Sequence, residues 1–393
     1  MKNTKTSINV YTITDYLLVI VIFYSNMTYI PFFTKVSIVP IITYLLWVLL
    51  FISLLKSFAK IQSSSLTIIS VVLIFDTYIM LMEILSKNPY ITSRFVYPVN
   101  LCLFVFLIGQ AVGKKINAKK LKLFARSYIY SAMILGIFIY LNYFRGVNWV
   151  DSTSYIVIQK NGITLIFVIS IIFLLFAGQL MRAFLKNITI IFFIVMLIML
   201  KSRAAILGLL FATIYYFWKM SAKKKIVVIL LSTVAIILTI NYTNIPNYLL
   251  YNVLLNNRLS NGINAITSGR FDQWNLFIVN FLKQPYIGQG TYFIESFPLA
   301  SLMSYGIIGS IPLFILSILP IFYVIKNNNF TSNSPNIRSI VIVLWLIIFS
   351  NGIFEELAPF GPGVKCYMLW FFTGLYIGQI YTVKKQIGLK NIS

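Results

Sequence analysis

Three side chains in this 393-residue sequence have the types and settings for anion binding and proton transfer: Arg203, Arg270 and Glu295. Arg270 follows Ser268 and Gly269, a Ser-Gly-Arg that reads as a helix start with Ser268 as its cap. Phe271, Trp274, Ile278 and Phe281 then recur at helical spacing, with Asp272, Gln273 and Asn280 opposite, and Pro285 and Gly288 end the run. That pattern predicts a helix lying along a membrane surface, with a second one over Pro246–Leu259. An arginine in the first turn has free backbone N–H groups and the positive helix end beside it, a good setting for phosphate. Arg203, in Lys-Ser-Arg-Ala-Ala-Ile-Leu-Gly (201–208), sits at the end of an apolar run, where an arginine alone snorkels to the interface. Ala204 and Gly208 permit close helix packing and would hold it in a crevice instead. Two such guanidinium groups would clamp a diphosphate from both sides. Glu295 is the candidate base, because desolvation beside a membrane raises a carboxyl group's pKa into a useful range.

Further acids stand in unusual places. Asp76 and Glu83 are seven residues apart and share a helix face, about 10 Å apart along the axis. Acids inside apolar runs line a cavity or pair with a base, here Arg94 or Lys201. Glu355 and Glu356 occupy Phe-Glu-Glu-Leu-Ala-Pro-Phe-Gly-Pro-Gly (354–363), a rigid non-helical turn suited to a cavity mouth. The sequence has no histidine, and Cys102 and Cys366 lie in or beside apolar runs without metal or disulfide spacing, so no metal and no cofactor are expected. There is no Gly-x-x-x-x-Gly-Lys loop and no Asp-x-Asp pair, which excludes a P-loop motor and disfavours a nucleotide-sugar donor.

The elements that must carry these residues are membrane helices. Apolar residues make up 59% of the chain and charged ones 10%, with a formal charge of +24. Such a charge in a soluble protein would point to nucleic acid. Here Lys and Arg cluster in short segments between apolar runs, as topology signals do, so the bilayer is the partner and nucleic acid is not. Runs near 14–33, 38–55, 66–85, 95–112, 127–144, 162–181, 187–200, 204–218, 226–241, 298–325, 339–353 and 364–382 predict an all-α integral membrane protein of twelve spans. The run after Lys2 and Lys5 is read as an uncleaved first span. The basic stretches Lys114–Arg126 and Lys219–Lys225 place both termini in the cytoplasm. Gln62–Ser65 and Asn327–Asn336 then read as inner loops, and Asp151, Asp272, Glu295, Glu355 and Glu356 fall outside. The single polytopic domain has one long interruption, 242–297, a large extracytoplasmic loop.

The ordered set Ser-Gly-Arg (268–270), Trp274, Gln-Pro-Tyr-Ile-Gly-Gln-Gly (284–290), then Glu295 eleven positions before Gly306 of a Gly-x-x-Gly ending at Gly309 and opening a helix, resembles the O-antigen ligase and polymerase superfamily. The usual form there is an Arg-x-x-x-Trp helix, a Pro-x-x-Gly-x-Gly turn and a His-Asn pair before the next span. Ser202-Arg203 resembles a recurrent Ser-Arg of the same superfamily, and the likeness covers roughly 195–310. It implies a GT-C-like architecture and a glycosyltransferase at the outer face of the bacterial inner membrane. Undecaprenyl-diphosphate-linked oligosaccharides would be its substrates and a chain-length regulator a possible partner. Glu295 stands where ligases carry histidine, which favours the polymerase (Wzy-like) branch, making O-antigen, capsule or exopolysaccharide. Under this reading Arg203, Arg270 and Glu295 are catalytic, and Asp272, Glu355, Glu356, Asp76, Glu83 and Arg94 bind substrate. The alternatives are a flippase of lipid-linked oligosaccharides, which would spread its arginines along a central cavity, and a ligase.

Overall fold

An apolar run in lipid has no water to bond, so its backbone must be satisfied within the run, and every regular element among the described residues is a helix. The computed structural model describes residues 12–30, 38–55, 63–86, 93–144, 160–248, 250–251, 269–290, 293–327, 337–361 and 364–390. In chain order the helices are α1 (Ile13–Met27), α2 (Ile38–Leu54), α3 (Ser63–Ser86), α4 (Ser93–Gly113), α5 (Ala118–Phe144), α6 (Lys160–Phe176), α7 (Ala183–Met199), α8 (Arg203–Lys219) and α9 (Ala222–Tyr242). After a helical turn at Ile245–Asn247 come α10 (Arg270–Phe281), α11 (Phe297–Lys326), α12 (Ile337–Gly352) and α13 (Val364–Lys390). Each of the twelve apolar runs falls on one helix, and α10 is the short amphipathic one. Among the described residues, four segments are long and apolar enough to cross a membrane: Ser64–Leu85, Phe95–Gly113, Ala118–Asn142 and Phe297–Lys326. The chain is a multi-pass membrane protein. Most of the second helix expected over Pro246–Leu259 lies outside the described residues, as do Ser268 and Asp151.

Helix α6 is apolar and buried on nearly every side, from Gly162 to Leu174, so it occupies the middle of the bundle. It packs on α5, α7, α8, α12 and α13. Helix α4 packs along α13. Gly109 and Gly113 on α4 face Gly374 and Gly378 on α13, two Gly-x-x-x-Gly repeats in register. A Cβ at Gly374 would stand 2.7 Å from the backbone nitrogen of Gln110, and one at Gly113 2.8 Å from Cα of Leu375. Small residues here let two backbones touch, which is how helices associate where lipid removes the usual hydrophobic drive. On α8 the buried stripe is Ala205, Gly208 and Ala212 against α12, with Ala204 only half-buried, so the close-packed face is turned by one residue from the expected one.

The two ends of the bundle differ. At one end Lys120 pairs with Asp15 at 2.7 Å, the Arg126 Nε donates to Leu180 O, and the Tyr323 hydroxyl donates to Ser64 O. Asp15 also accepts from the Thr12 backbone and hydroxyl, each at 2.8 Å, capping α1. Ser63–Ser65 start α3 rather than forming a loop. The other end carries Glu295, Glu355, Glu356 and both candidate arginines, and it is there that the polar side chains converge.

Candidate functional site

The helix expected over the first part of the Trp274 stretch forms as Arg270–Phe281, with Gly269 in the left-handed conformation at its start. Phe271, Trp274 and Ile278 are exposed, presenting an apolar strip to the surroundings, whereas Gln273, Phe277, Asn280 and Phe281 face α11. Arg270 and Gln273, one turn apart, therefore point the same way.

The segment after α10 is held in place by a break in α11. That helix does not open at Gly306; it begins at Phe297 and is interrupted at Gly306, where φ is 63° and ψ −170°. A break of this kind strands carbonyls on one side and amides on the other, and in an apolar bundle each must find a partner. The Gln284–Gly290 segment supplies all four. The amides of Gln289 and Gly290 donate to Met303 O and Ser304 O at 2.8 and 3.2 Å, and the amides of Ile307 and Ile308 donate to Pro285 O and Tyr286 O at 2.9 and 3.2 Å. Gly288 and Gly306 make this approach possible: a Cβ on Gly288 would be 2.6 Å from the Ser304 carbonyl carbon, and one on Gly306 2.5 Å from Ile287 N. The Tyr78 hydroxyl of α3 closes the joint, 2.9 Å from Tyr305 O and 3.1 Å from Ile287 O. The Gln289 side-chain amide donates back to Asn280 O, tying this strap to the end of α10.

The strap returns the chain so that Glu295 meets the start of α10. The Glu295 amide donates to Gln273 Oε1 at 2.7 Å, and its carboxylate pairs with Arg270 Nη2 at 2.8 Å. The same Nη2 donates to Phe354 O at 3.2 Å, with the guanidinium 5.6 Å from the Phe354 ring. The arginine side chain is 15% exposed and the glutamate 35%, so the carboxylate is the more open partner. Burial raises the Glu295 pKa above the ordinary carboxyl value; Arg270 opposes this and Glu355 adds to it, and the net direction is upward.

A second chain of contacts joins Ser202, the residue before Arg203, to this cluster. Leu200 and Lys201 form the turn between α7 and α8, and Ser202, buried, precedes Arg203 at the head of α8. The Ser202 hydroxyl donates to Asn161 Oδ1 at 3.1 Å, and Asn161 Nδ2 donates to Glu355 Oε1 at 2.7 Å. Glu355 follows Phe354, whose carbonyl holds Arg270. Thus α6, the α7–α8 turn, α10, the segment before α11 and the turn after α12 meet at one place. The 354–361 turn is non-helical, as its composition predicts: the Trp370 indole donates to Pro359 O, and the amides of Phe360 and Gly361 both donate to Leu357 O.

The remaining candidates divide. Glu356 is buried at 7% exposure, next to Glu355. Asp272 is exposed on α10. Asp76 accepts from Asn100 Nδ2, a neutral amide of α4, at 3.0 Å on both oxygens. Glu83 lies half-buried two turns further along α3, and the Arg94 side chain is outside the described residues. Asn161, Gln273 and the Phe354 carbonyl were not singled out in the sequence. A side-chain amide or a carbonyl has no spacing signature, so only the fold reveals them. A comparison with curated proteins finds no match. A family comparison does: the O-antigen ligase family (Wzy_C) matches residues 188–311, from α7 through the break in α11, a likeness to the ligase and polymerase superfamily that leaves its branches undistinguished.

Proposed function

We propose that this protein is a membrane glycosyltransferase that polymerises undecaprenyl-diphosphate-linked oligosaccharide units into a surface polysaccharide, with residues 242–297 on the outer face of the inner membrane and both termini of its twelve spans inside. The observation that carries the proposal is the Arg270–Glu295 contact at 2.8 Å, joined through Phe354–Glu355 and Asn161 to the Ser202–Arg203 turn. It supports reading the two arginines as an anion clamp with a carboxylate beside it, the set that glycosyl transfer from a lipid diphosphate needs.

In the reaction, a hydroxyl oxygen of the acceptor unit attacks the anomeric carbon of the donor's reducing-end sugar. The new glycosidic C–O bond forms as the C–O bond to phosphate breaks, and that electron pair leaves with the lipid diphosphate. Arg270 and Arg203 bind the leaving group and stabilise the charge it gains. Glu295 takes the proton from the attacking hydroxyl, and a pKa raised above the ordinary carboxyl value makes it a stronger base than a free carboxylate. The donor diphosphate competes with Glu295 for Arg270. Its arrival frees the carboxylate and removes a cation that holds its pKa down, so the base is released only when a donor is bound. Glu356, Asp272, Asp76, Glu83 and Arg94 are proposed substrate contacts of lesser weight.

The ligase reading is kept as the alternative because the matching family is described by that activity. The absence of histidine favours the polymerase. Deleting the gene separates them. Loss of a polymerase leaves single repeat units on the final acceptor, and loss of a ligase leaves long chains on the lipid. Single units trapped on the inner face would refute both and make the protein a flippase.

A further inference from the structure

Two asparagines stand at the site, and their side chains are used differently. Asn161 engages both ends of its amide, donating to Glu355 and accepting from Ser202. Asn351, at the end of α12, engages neither. Its Nδ2 and Oδ1 are buried and without a hydrogen-bond partner among the described residues, and the residue is 1% exposed. Its backbone carbonyl accepts from the Phe354 amide at 2.9 Å, in the turn that brings Phe354 O to Arg270. Buried amides are nearly always paired, because leaving both ends unbonded costs stability.

The register of α12 on α8 gives the direction of this amide. The two helices run antiparallel: the Tyr215 hydroxyl donates to Ser339 Oγ at 3.4 Å, and a Cβ at Gly208 would stand 2.9 Å from Ile347 Cγ2. Asn351 is four residues beyond Ile347 and on the same face. Carried one turn further, the pairing sets it against the first turn of α8, level with Arg203 and Ala204. The neighbouring face of α12 is already filled, since a Cβ at Gly352 would lie 2.8 Å from Ala358 O and 3.6 Å from Phe297 Cβ. The first turn of α8 is itself uncapped. The Ser202 hydroxyl is turned to Asn161 and gives α8 no side-chain cap, so the leading amides have no partner in their own helix.

We infer that Asn351 and the first turn of α8 form one pocket for a glycosyl phosphate: the leading α8 amides take a phosphate oxygen, and Asn351 reads the hydroxyls of the sugar that carries it. The amides are donors only, in the positive field of a helix start, and suit an anion. Asn351 offers a donor and an acceptor side by side. A phosphate cannot satisfy both, but two neighbouring sugar hydroxyls can, one accepting from Nδ2 while the other donates to Oδ1. Arg203, Ala204 and Glu355 at this level are half-buried, so the amide lies one residue below the surface, and the ligand enters by parting Arg203 from the turn after α12. The pocket rests on the glycosyltransferase reading for the identity of its ligand. Within that reading it names the residue that selects the sugar next to the diphosphate, since a site built to bond a hydroxyl rejects an analogue without one.

Two probes are titrated into the full-length protein in nanodiscs: the host cell's own lipid-linked repeat unit, extracted from its membranes, and farnesyl diphosphate, which carries the anion without a sugar. Asn351→Leu, close in volume and unable to hydrogen-bond, is expected to weaken the repeat unit about tenfold and to leave farnesyl diphosphate unchanged. Its melting temperature should stay level or rise, because an unbonded buried amide has been removed. Asn351→Ala is expected to show the same split between the probes and serves should the leucine variant not stay monodisperse. Ser202→Asp, whose carboxylate would itself cap the α8 amides, is expected to weaken both probes. Equal repeat-unit affinity in wild type and the Asn351 variants, an equal loss of both probes in those variants, or unchanged farnesyl diphosphate affinity in Ser202→Asp overturns the pocket, as does a wild type that binds neither probe. Repeat-unit affinity that depends on Asn351, in a protein whose Arg270→Ala variant still supports full-length chains in cells, upholds the pocket and defeats the catalytic reading.

Discussion

Replacing Gly306 by alanine should detach the Gln284–Gly290 strap without unfolding the bundle. The residue stands at φ 63°, ψ −170°, a region open essentially to glycine, and a side chain there costs about 1–3 kcal/mol. The added Cβ would also lie 2.5 Å from Ile287 N, and backbone cannot step aside as a side-chain tip can. Relief comes only by lifting the strap, which gives up the four amide–carbonyl bonds of 2.8–3.2 Å that bridge the break, each worth about 0.5–1.5 kcal/mol net. Full detachment therefore costs about 3–9 kcal/mol, far beyond the control, Gly269→Ala. Gly269 has φ 83° but nothing within 4 Å of a new Cβ, so only the left-handed penalty of about 1–2 kcal/mol applies. The assay is amide hydrogen exchange in nanodiscs. Gly306→Ala should lose protection over 284–290 and 303–308 while the α4–α13 seam stays protected, and activity should fall at least about 100-fold because Glu295 loses its place. Unchanged protection in this variant, or a larger loss in Gly269→Ala, would refute the joint described for α11.

The two ion-paired residues should behave as a unit. Arg270→Ala and Glu295→Gln are each expected to abolish long chains, with the double variant no worse than the more severe single one on a chain-length gel; additive losses would mean that they act at separate steps. The acid limb of the rate profile should lie above the ordinary carboxyl value of 4.5, activity being lost as pH falls through the raised Glu295 pKa and its base form is protonated. Glu355→Gln removes the like charge that helps raise this pKa, so the limb should move to lower pH; an unmoved limb would mean that another group is the base. In the seam, Gly374→Leu should yield aggregated protein on size exclusion, because the obstacle is the backbone of Gln110. Gly136→Ala should be tolerated, because what it meets is the Phe192 ring, which can turn.

The helices are legible in the sequence because a strongly apolar run has one solution in lipid whatever its neighbours, and so each of the twelve runs overlaps a helix among the described residues. The α10 helix is also readable, since periodicity is local, although its N-cap is Gly269 in the left-handed conformation rather than the expected Ser268. The Gly-x-x-x-Gly repeats at 109–113 and 374–378 carry a usable signal too, one that hydropathy and charge alone do not weigh. Other features have no local trace. Asp76 can be recognised as an acid needing a partner, but nothing in its own helix points to Asn100. Asn161 acts across 194 positions of sequence and resembles any other helix-start asparagine until α6 and the 354–361 turn are brought together.

Gly306 misleads for an instructive reason. A Gly-x-x-Gly ahead of an apolar run signals a helix start when only local bonds are considered, since a helix cannot normally continue through that backbone. Here the missing bonds are supplied from outside by the strap, so the helix resumes with its polar groups satisfied. That exchange also positions the site. The strap must run against α11 to reach Met303, Ser304, Ile307 and Ile308, and its two ends are thereby fixed: α10 leads into it and the Phe293–Ser296 segment leads away. Arg270 and Glu295 lie on those two arms, 25 residues apart in sequence, and closing the strap folds the arms against each other until they meet at 2.8 Å. The ion pair is thus a consequence of satisfying a broken helix in an apolar bundle. A substitution that releases the strap should separate the pair even though it touches neither partner.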